Sequence, residues 1–314
     1  MRKLVIGSRG SPLALRQSAL LQEALQKHHP DLETRIEIIR TTGDQTPQAD
    51  LSKLAASVKG LFVKEIEEAL LQHQIDLAVH SLKDLPTQTP EGLTLAAIPP
   101  REDARDALVT ASPTLSSLQA LPQQARLGTG SLRRRVQLQL LRPDLVISPI
   151  RGNVETRIKK IEQENLDGII LAAAGLNRLG LHDKIAYLFP VEEMVPAIGQ
   201  GALAIEIRTD DESTRRIVEP VDDPATRSCT LAERRFLHEM GGGCDVPMGA
   251  HASIKNDKAT FTAFVAGPRS LQVARTSSQG KPQELDELAL EAARYLLAQG
   301  GDKMLEESSV QYQP

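Results

Sequence analysis

Two patterns of apolar residues alternate along the first third of the chain: short apolar runs typical of strands, and the wider apolar spacing typical of helices. Short apolar runs at residues 4–6, 35–39 and 75–79 predict strands. A helix is predicted from Pro12, whose fixed φ suits the first helical position, and another from the apolar spacing within residues 61–70. Strands that alternate with helices in this order are typical of an α/β protein with a mostly parallel sheet.

The same alternation returns in the middle of the chain. Strands are predicted at residues 107–110, 126–128 and 168–176, and a helix is predicted after the capping residue Ser131. Because the strand predicted at residues 202–207 can complete the first sheet, we expect two chain connections between two similar lobes. These connections would form a hinge beside a cleft.

The last third has a different pattern, typical of an α+β domain. A helix that carries Phe236 on its apolar face is followed by strands predicted at residues 260–265 and 273–277 and by an amphipathic helix at residues 285–297. The predicted domains are a first α/β lobe of residues 1–101 and 200–219, a second α/β lobe of residues 102–199, and an α+β domain of residues 220–314.

Composition excludes several classes of function. The 314 residues carry a net charge of −4, and only 3% are aromatic, so we expect no nucleic-acid partner. No apolar run approaches the roughly 20 residues that span a bilayer and the N-terminus lacks a signal-like segment, which predicts a cytoplasmic protein without a membrane partner. The two cysteines give no disulfide framework, and no His or Cys cluster has the spacing of a metal site.

The sharpest change in the pattern comes where the strand of residues 75–79 ends. A histidine and a serine follow at once, then Lys83 and Asp84, and Pro86 disfavours a helix there. Ligands of open α/β sheets bind beyond the carboxyl ends of strands, so these side chains are candidates for contact with a ligand. The alternative is a surface turn with a solvated ion pair, which contributes at most about 1 kcal/mol.

Two Gly/Ser-rich turns each join a predicted strand to a helix. The first, residues 7–12, puts Arg9 beside free backbone N–H groups at a helix N-terminus, and residues 126–135 repeat this plan. Arg133 and Arg134 fall in the first turn of the second helix, where the helix dipole disfavours positive charge. We interpret them as receptors for an anionic ligand. The alternative is an exposed face whose charge is balanced elsewhere.

Further arginines stand near other predicted strand ends. Arg151 and Arg157 flank a helix N-terminus capped by an asparagine, and Arg178 follows the buried strand of residues 168–176. Arginine suits such positions because its planar fork pairs with carboxylates or phosphates through two hydrogen bonds.

The two cysteines differ in their surroundings. Cys244 follows three glycines, which remove side chains and let a bulky group approach the thiol closely. Cys229 falls inside a predicted helix and is better explained as a buried structural residue.

Five motifs resemble those of the porphobilinogen deaminase family, also called hydroxymethylbilane synthases. They are residues 6–15, 60–65, 79–84, 128–134 and 176–180, and they match in order with little shift in spacing. The resemblance implies a transferase that deaminates porphobilinogen and joins four units head to tail into linear hydroxymethylbilane, in tetrapyrrole and heme biosynthesis. It also implies a monomer with two α/β lobes of the periplasmic-binding-protein type around a hinged cleft and a smaller C-terminal α+β domain.

The same resemblance implies roles for individual residues. Cys244 would carry a covalent dipyrromethane cofactor through a thioether, and Asp84 would stabilise the azafulvene cation left by loss of ammonia and act as general acid and base. Each pyrrole carries an acetate and a propionate, so the bound chain needs many cations. The residues expected to bind the cofactor are Cys244, Lys83, Asp84, Thr129, Ser131, Arg133, Arg134 and Gly175. The residues expected to bind the substrate are Arg9, Ser11, Arg151, Arg157, Arg178 and Gln200, with Lys53 and Lys59 on a long polar loop.

A two-lobed binding protein for a polycarboxylate is the alternative from another class. It would account for both Gly/Ser turns and for the arginines. It gives no reason for Cys244 behind three glycines, or for Asp84 among cations.

Overall fold

A computed structural model of the chain describes residues 3–41, 63–111, 115, 117–241 and 246–309. The strands in these ranges are β1 (Leu4–Ser8), β2 (Thr34–Ile38), β3 (Leu77–Ser81), β4 (Leu93–Ala97), β5 (Asp106–Val109), β6 (Arg126–Gly128), β7 (Val146–Ser148), β8 (Gly168–Ala172), β9 (Ile185–Leu188), β10 (Leu203–Arg208), β11 (Met248–Lys255), β12 (Lys258–Ala266) and β13 (Val273–Gly280). The α-helices are α1 (Pro12–His28), α2 (Lys64–Leu71), α3 (Leu132–Leu141), α4 (Val154–Gln163), α5 (Ala173–Arg178), α6 (Glu212–Val218), α7 (Pro224–Glu239), α8 (Leu285–Ala298) and α9 (Gly301–Ser309).

The first sheet has the strand order β2-β1-β3-β10-β4. Strand β1 pairs in parallel with β2 and β3, so that Ile6 lies beside Ile36 on one side and Leu77 on the other. Strand β10 pairs antiparallel with both β3 and β4. The prediction that a strand from the middle of the chain completes the first sheet is confirmed.

The second sheet repeats this arrangement with the order β7-β6-β8-β5-β9. Strand β6 is parallel to β7 and β8, while β5 is antiparallel to β8 and β9. In each sheet the fourth strand enters after the chain has built part of the other lobe, and it runs against its neighbours. The prediction of two similar α/β lobes is confirmed, and each sheet is mostly parallel, since only β10 in the first sheet and β5 in the second run against the other four strands.

The chain separates into two compact units, Met1–Arg101 with Ala202–Arg227, and Glu102–Gly201 with Ser228–Pro314. The first unit holds the first sheet. The second unit holds the second sheet and a three-stranded antiparallel sheet, β11-β12-β13. Phe236 of α7 packs against Phe261 of β12, with 5.9 Å between ring centroids, in the core of this α+β part. The predicted smaller C-terminal α+β fold is thereby confirmed.

One predicted element is wrong. Residues 168–176 are predicted as a single strand, but β8 ends at Ala172 and α5 begins at Ala173. Both segments are apolar and largely buried, so periodicity cannot distinguish a buried strand from a short buried helix. Arg178 therefore lies at the end of a helix instead of directly after a strand.

None of the helices in the described ranges combines the length and the apolar character that a membrane-spanning helix needs.

One face of the first sheet buries charged side chains beneath α2. His80 of β3 and Glu206 of β10 are diagonal neighbours on this face, and the Nε2 atom of His80 lies 3.2 Å from Oε2 of Glu206. Glu67 of α2 interacts electrostatically with both. Burial raises the pKa of Glu67, and the negative charge of Glu206 raises it further, whereas His80 opposes the shift.

We expect Glu67→Gln to raise the thermal midpoint at neutral pH. A raised pKa in the folded state means that folding favours the protonated carboxyl group. Its stability contribution is present below the ordinary glutamate pKa and is lost as the pH rises through the folded-state pKa. Glutamine mimics the protonated form, so the gain should vanish by pH ~4. Thermal melts across this range, with Glu68→Gln on the exposed side of the same helix as control, would contradict the prediction if the two variants behaved alike.

Candidate functional site

The two predicted contact turns of the first unit follow neighbouring strands. Because β1 and β3 are parallel neighbours, the turn carrying Arg9 and Ser11 and the turn carrying Lys83 and Asp84 lie at the same edge of the sheet. The Ser11 hydroxyl caps α1 by accepting a hydrogen bond of 3.3 Å from the backbone N–H of Ala14. The sheet thus brings together Arg9, Ser11, Lys83 and Asp84, four of the residues that the sequence assigned to this lobe.

The Asp84 turn is fixed by its backbone and its apolar neighbours. Residues Leu82–Asp84 form a single 3₁₀ turn, in which the N–H of Leu82 donates to the carbonyl of Ala202 at 3.0 Å. Leu82 and Leu85 are buried in one apolar cluster. The carboxylate of Asp84 is half-buried and makes no hydrogen bond or ion pair with any residue that the structure describes, Lys83 included. A half-buried carboxylate without a partner among the described residues is available to a ligand.

The corresponding edge of the second unit carries another set of predicted residues. Strands β6, β7 and β8 are parallel neighbours, so the segments that follow them, which contain Thr129, Arg151 and Gly175, lie at one edge. The Thr129 hydroxyl accepts from the N–H of Ser131 at 3.2 Å, and the Ser131 hydroxyl caps α3. These contacts shape the turn that begins the arginine-rich helix.

Arg133 and Arg134 are buried and share one carboxylate. Arg133 donates from Nη1 to Oδ2 of Asp106 at 2.7 Å and to the carbonyl of Val195 at 2.7 Å. Arg134 donates from Nε to Oδ1 of Asp106 at 2.9 Å and from Nη1 to the carbonyl of Ile170 at 3.0 Å. The alternative of an exposed face is therefore wrong, because both side chains are buried and turn inward to Asp106, which gives them a counter-ion within the protein.

The electrostatics of this cluster still favour an anion. Burial alone would raise the pKa of Asp106, but the two guanidinium groups hold it well below its usual range. Burial lowers the pKa of Arg134, and Asp106 opposes that shift. Two positive charges facing one negative charge leave the buried cluster with an excess of positive charge, which an acidic ligand can neutralise.

Gln200 extends the same network toward the α+β part of the second unit. Its side-chain amide donates to Oδ1 of Asp106 at 2.9 Å and to the carbonyl of Ala104 at 2.8 Å. The adjacent Gly199 N–H donates to Oε2 of Glu233 at 2.7 Å, and Oε1 of the same carboxylate accepts from the N–H of Ala252. The segment bearing Gln200 is thus held from two sides.

Arg178 is largely buried and forms no ion pair with the described part of the chain. Its Nη2 donates to the carbonyl of Gly201 at 2.7 Å. Burial lowers its pKa to about 10, although the charge of Glu102 works in the opposite direction. Gly201 has a φ of +87°, and a Cβ there would collide with the carbonyl of Glu102, so only glycine fits at this crossing.

The remaining predicted residues have mixed positions. Arg151 is exposed, Gly175 is buried within α5, and Arg157 donates from Nε to the carbonyl of Gly152 at 2.7 Å. Cys229 is buried in α7, as predicted for a structural cysteine. The predictions for Lys53, Lys59 and Cys244 concern positions outside the described residues. Among the residues described, no group of His, Cys, Asp and Glu side chains could hold a metal ion.

Sequence reasoning did not find Asp106 or Glu233. Both are acidic residues with no exposed surface, and the groups that hydrogen-bond to them are far away in the sequence. The available signal for Asp106 was an acid at the start of an otherwise apolar strand, where a buried charge requires a partner. The signal named no partner, because Arg133 and Arg134 lie 27 and 28 residues further along the chain.

The two α/β lobes with polar turns at their strand ends place this chain in the class of two-lobed α/β proteins, and the arginine cluster of the second unit has an excess of positive charge. Residues 4–216 match the model of a protein family described as "Porphobilinogen deaminase, dipyromethane cofactor binding domain". Residues 227–298 match a second family model, described as "Porphobilinogen deaminase, C-terminal domain". This chain belongs to the porphobilinogen deaminase family. The predictions of the family, of its transferase activity in tetrapyrrole biosynthesis and of a dipyrromethane cofactor are confirmed.

Individual relatives agree with this assignment over nearly their whole length. The porphobilinogen deaminase of Chlorobium phaeobacteroides (strain BS1) is 45% identical over 310 residues, covering 98% of both chains. That of Sulfurimonas denitrificans is 46% identical over 308 residues, covering 97% of both chains.

Among solved structures, the methionine binding protein MetQ shares 10% identity at a TM-score of 0.43, covering 74% of this chain and 94% of its own.

We expect Asp106→Asn to destabilise the protein strongly. Removing one partner from a buried ion cluster leaves uncompensated charge and costs about 3–5 kcal/mol. Arg133→Leu should also lower the thermal midpoint, since Asp106 would lose a partner. The matched control is Asp144→Asn, because Asp144 pairs with Arg142 at 2.7 Å near the surface, where an ion pair contributes little. An Asp106→Asn protein that melted with the wild type would show that Asp106 is not the counter-ion that the cluster requires.

Proposed function

We propose that this chain deaminates porphobilinogen and joins four units head to tail into hydroxymethylbilane, with Asp84 as the catalytic carboxylate. The observation that carries the assignment to Asp84 is its half-buried carboxylate, without a partner among the described residues, in a turn whose backbone is fixed at the end of β3. The substrate, its product and the cofactor all carry acetate and propionate groups. The turns and arginines of both units supply cations and N–H groups for such ligands.

The residues of the second unit suit a polycarboxylate cofactor. The excess positive charge around Asp106 and the guanidinium of Arg178, which has no described acid partner, can each be neutralised by a ligand carboxylate. We propose that Arg133, Arg134, Thr129, Ser131, Gly175 and Lys83 hold the cofactor, which Cys244 binds covalently. When bound, dipyrromethane supplies the pyrrole to which the first substrate unit is joined. Arg9, Ser11, Lys53, Lys59, Arg151, Arg157, Arg178 and Gln200 are proposed to bind the carboxylates of incoming substrate.

Asp84 can perform two tasks from one position. Its negative charge opposes the positive charge that develops on the substrate as ammonia leaves, and a preorganised contact of this kind contributes most where water is partly excluded. Its oxygens can also give a proton to the departing amine and later accept one from the newly joined ring. Since both tasks need the same oxygens near the reacting carbon, the rigidity of the turn matters as much as the charge.

We further propose that the enzyme works as a monomer in the cytoplasm. Its proposed substrate and product are small, highly charged molecules that need neither a membrane nor a nucleic-acid partner. Each lobe has its own sheet and its own apolar core.

The intact mass of purified protein should exceed the sequence mass by two linked pyrrole units. The adduct should map to Cys244, because three glycines precede that thiol and the family binds a dipyrromethane cofactor. Cys244→Ser should remove the adduct, whereas Cys229→Ser, a change in a buried helix position, should retain it. Active protein with the bare mass would exclude covalent attachment.

Asp84→Asn should fold normally and lose roughly a hundredfold or more in turnover, because the amide has no negative charge and no exchangeable acid proton. Asp84→Glu retains the charge but displaces it by one methylene, so measurable activity should remain. Single-turnover consumption of porphobilinogen, compared at equal cofactor content, measures both. Near-normal turnover in Asp84→Asn would remove this residue from the mechanism.

A further inference from the structure

The strand that leads into the Asp84 turn is anchored at three consecutive residues. His80 interacts with Glu206 of β10, the Ser81 hydroxyl accepts from the side-chain amide of Gln17 at 2.9 Å, and Leu82 bonds to the carbonyl of Ala202. The first two anchors lie on opposite faces of the sheet, since successive side chains of a strand alternate. The end of β3 is therefore held by side-chain contacts on both faces of the sheet and by a backbone hydrogen bond to the residue before β10.

The His80 anchor differs from the others because it is ionisable and buried. The side chains of His80 and Glu206 are 5% and 1% exposed. Glu67 of α2 adds a second acid to the pair, and its Oε1 is buried with no hydrogen-bond partner in the described part of the chain. The other charged group of β10 on this face, Arg208, is already engaged with Asp211 at 2.7 Å.

Stability alone does not explain this cluster. A buried ion pair contributes little net stability compared with apolar side chains of similar volume, because both groups must lose their hydration. The neighbouring positions on the same face are filled by apolar side chains instead, since Leu82, Leu85 and Ala204 pack together there. A directional imidazole–carboxylate contact does fix the orientation of the strand, which apolar packing does less sharply.

We propose that His80, held by Glu206, is a positioning residue that sets the direction in which β3 enters the Asp84 turn. The inference rests on the proposed role of Asp84. His80 lies four residues before Asp84 and acts through the backbone that joins them. Loss of the contact lets the turn shift, and a displacement of about 1 Å at a reacting group can cost up to a hundredfold in rate.

The test compares His80→Ala with Asp211→Ala, which removes a buried ion-pair partner of Arg208 at the opposite end of β10. His80→Ala should lower kcat for porphobilinogen consumption by roughly tenfold or more, with KM and cofactor mass unchanged. Asp211→Ala should lower the thermal midpoint while leaving kcat per folded molecule unchanged. His80→Gln keeps a donor toward Glu206 and should recover part of kcat, and it replaces the alanine variant if that protein does not fold.

A double-mutant cycle separates positioning from a merely structural effect. In an Asp84→Glu background, where the carboxylate is already displaced, His80→Ala should change kcat by less than about twofold. Equal factors in both backgrounds, or an equal loss in Asp211→Ala, would overturn the positioning role. Failure of the Asp84 assignment itself would be recognised separately, by near-normal turnover in Asp84→Asn.

Discussion

The carboxylate of Asp106 is the group on which the architecture of the second unit depends most. It has no exposed surface, and it accepts hydrogen bonds from Arg133, Arg134 and Gln200. Through these contacts one side chain at the start of β5 fixes the first turn of α3 and the segment before β10. Because each partner is itself buried, none of these positions can relax independently.

The repeated sheet topology explains why the candidate residues collect as they do. In both sheets three parallel strands lie side by side, and their carboxyl ends meet at one edge. Every turn that follows such an end can then contribute to the same surface. The fourth strand of each sheet runs antiparallel, so its first residue, Leu203 in β10 and Asp106 in β5, lies beside the carboxyl end of the neighbouring parallel strand and brings the incoming chain to the turn-bearing edge.

The two units use buried charge differently. The cluster around Asp106 combines two guanidinium groups with one acid, so its unbalanced charge is positive and favours an acidic ligand. The cluster beneath α2 combines two acids with one imidazole, and it lies behind the turn that carries Asp84. These clusters match the functions proposed for the two units, since the second offers cations to ligand carboxylates and the first supports the carboxylate of Asp84.

Local sequence determined most of the elements and the candidate residue types. Capping by Ser11, Ser131 and Asn153 is decided within a few residues of the chain, and the structure has helices starting after each of them. The motifs at residues 79–84 and 128–134 likewise carry their identity in short stretches. What the sequence could not determine were the partners of buried charges, since Asp106 meets Arg133 from 27 residues away and His80 meets Glu206 from 126 residues away. Nor could it decide that the chain turns from strand to helix at Ala173, because burial makes both patterns apolar. Only tertiary packing decides these features, since a buried charge takes its energy from whichever groups the fold brings within hydrogen-bond distance.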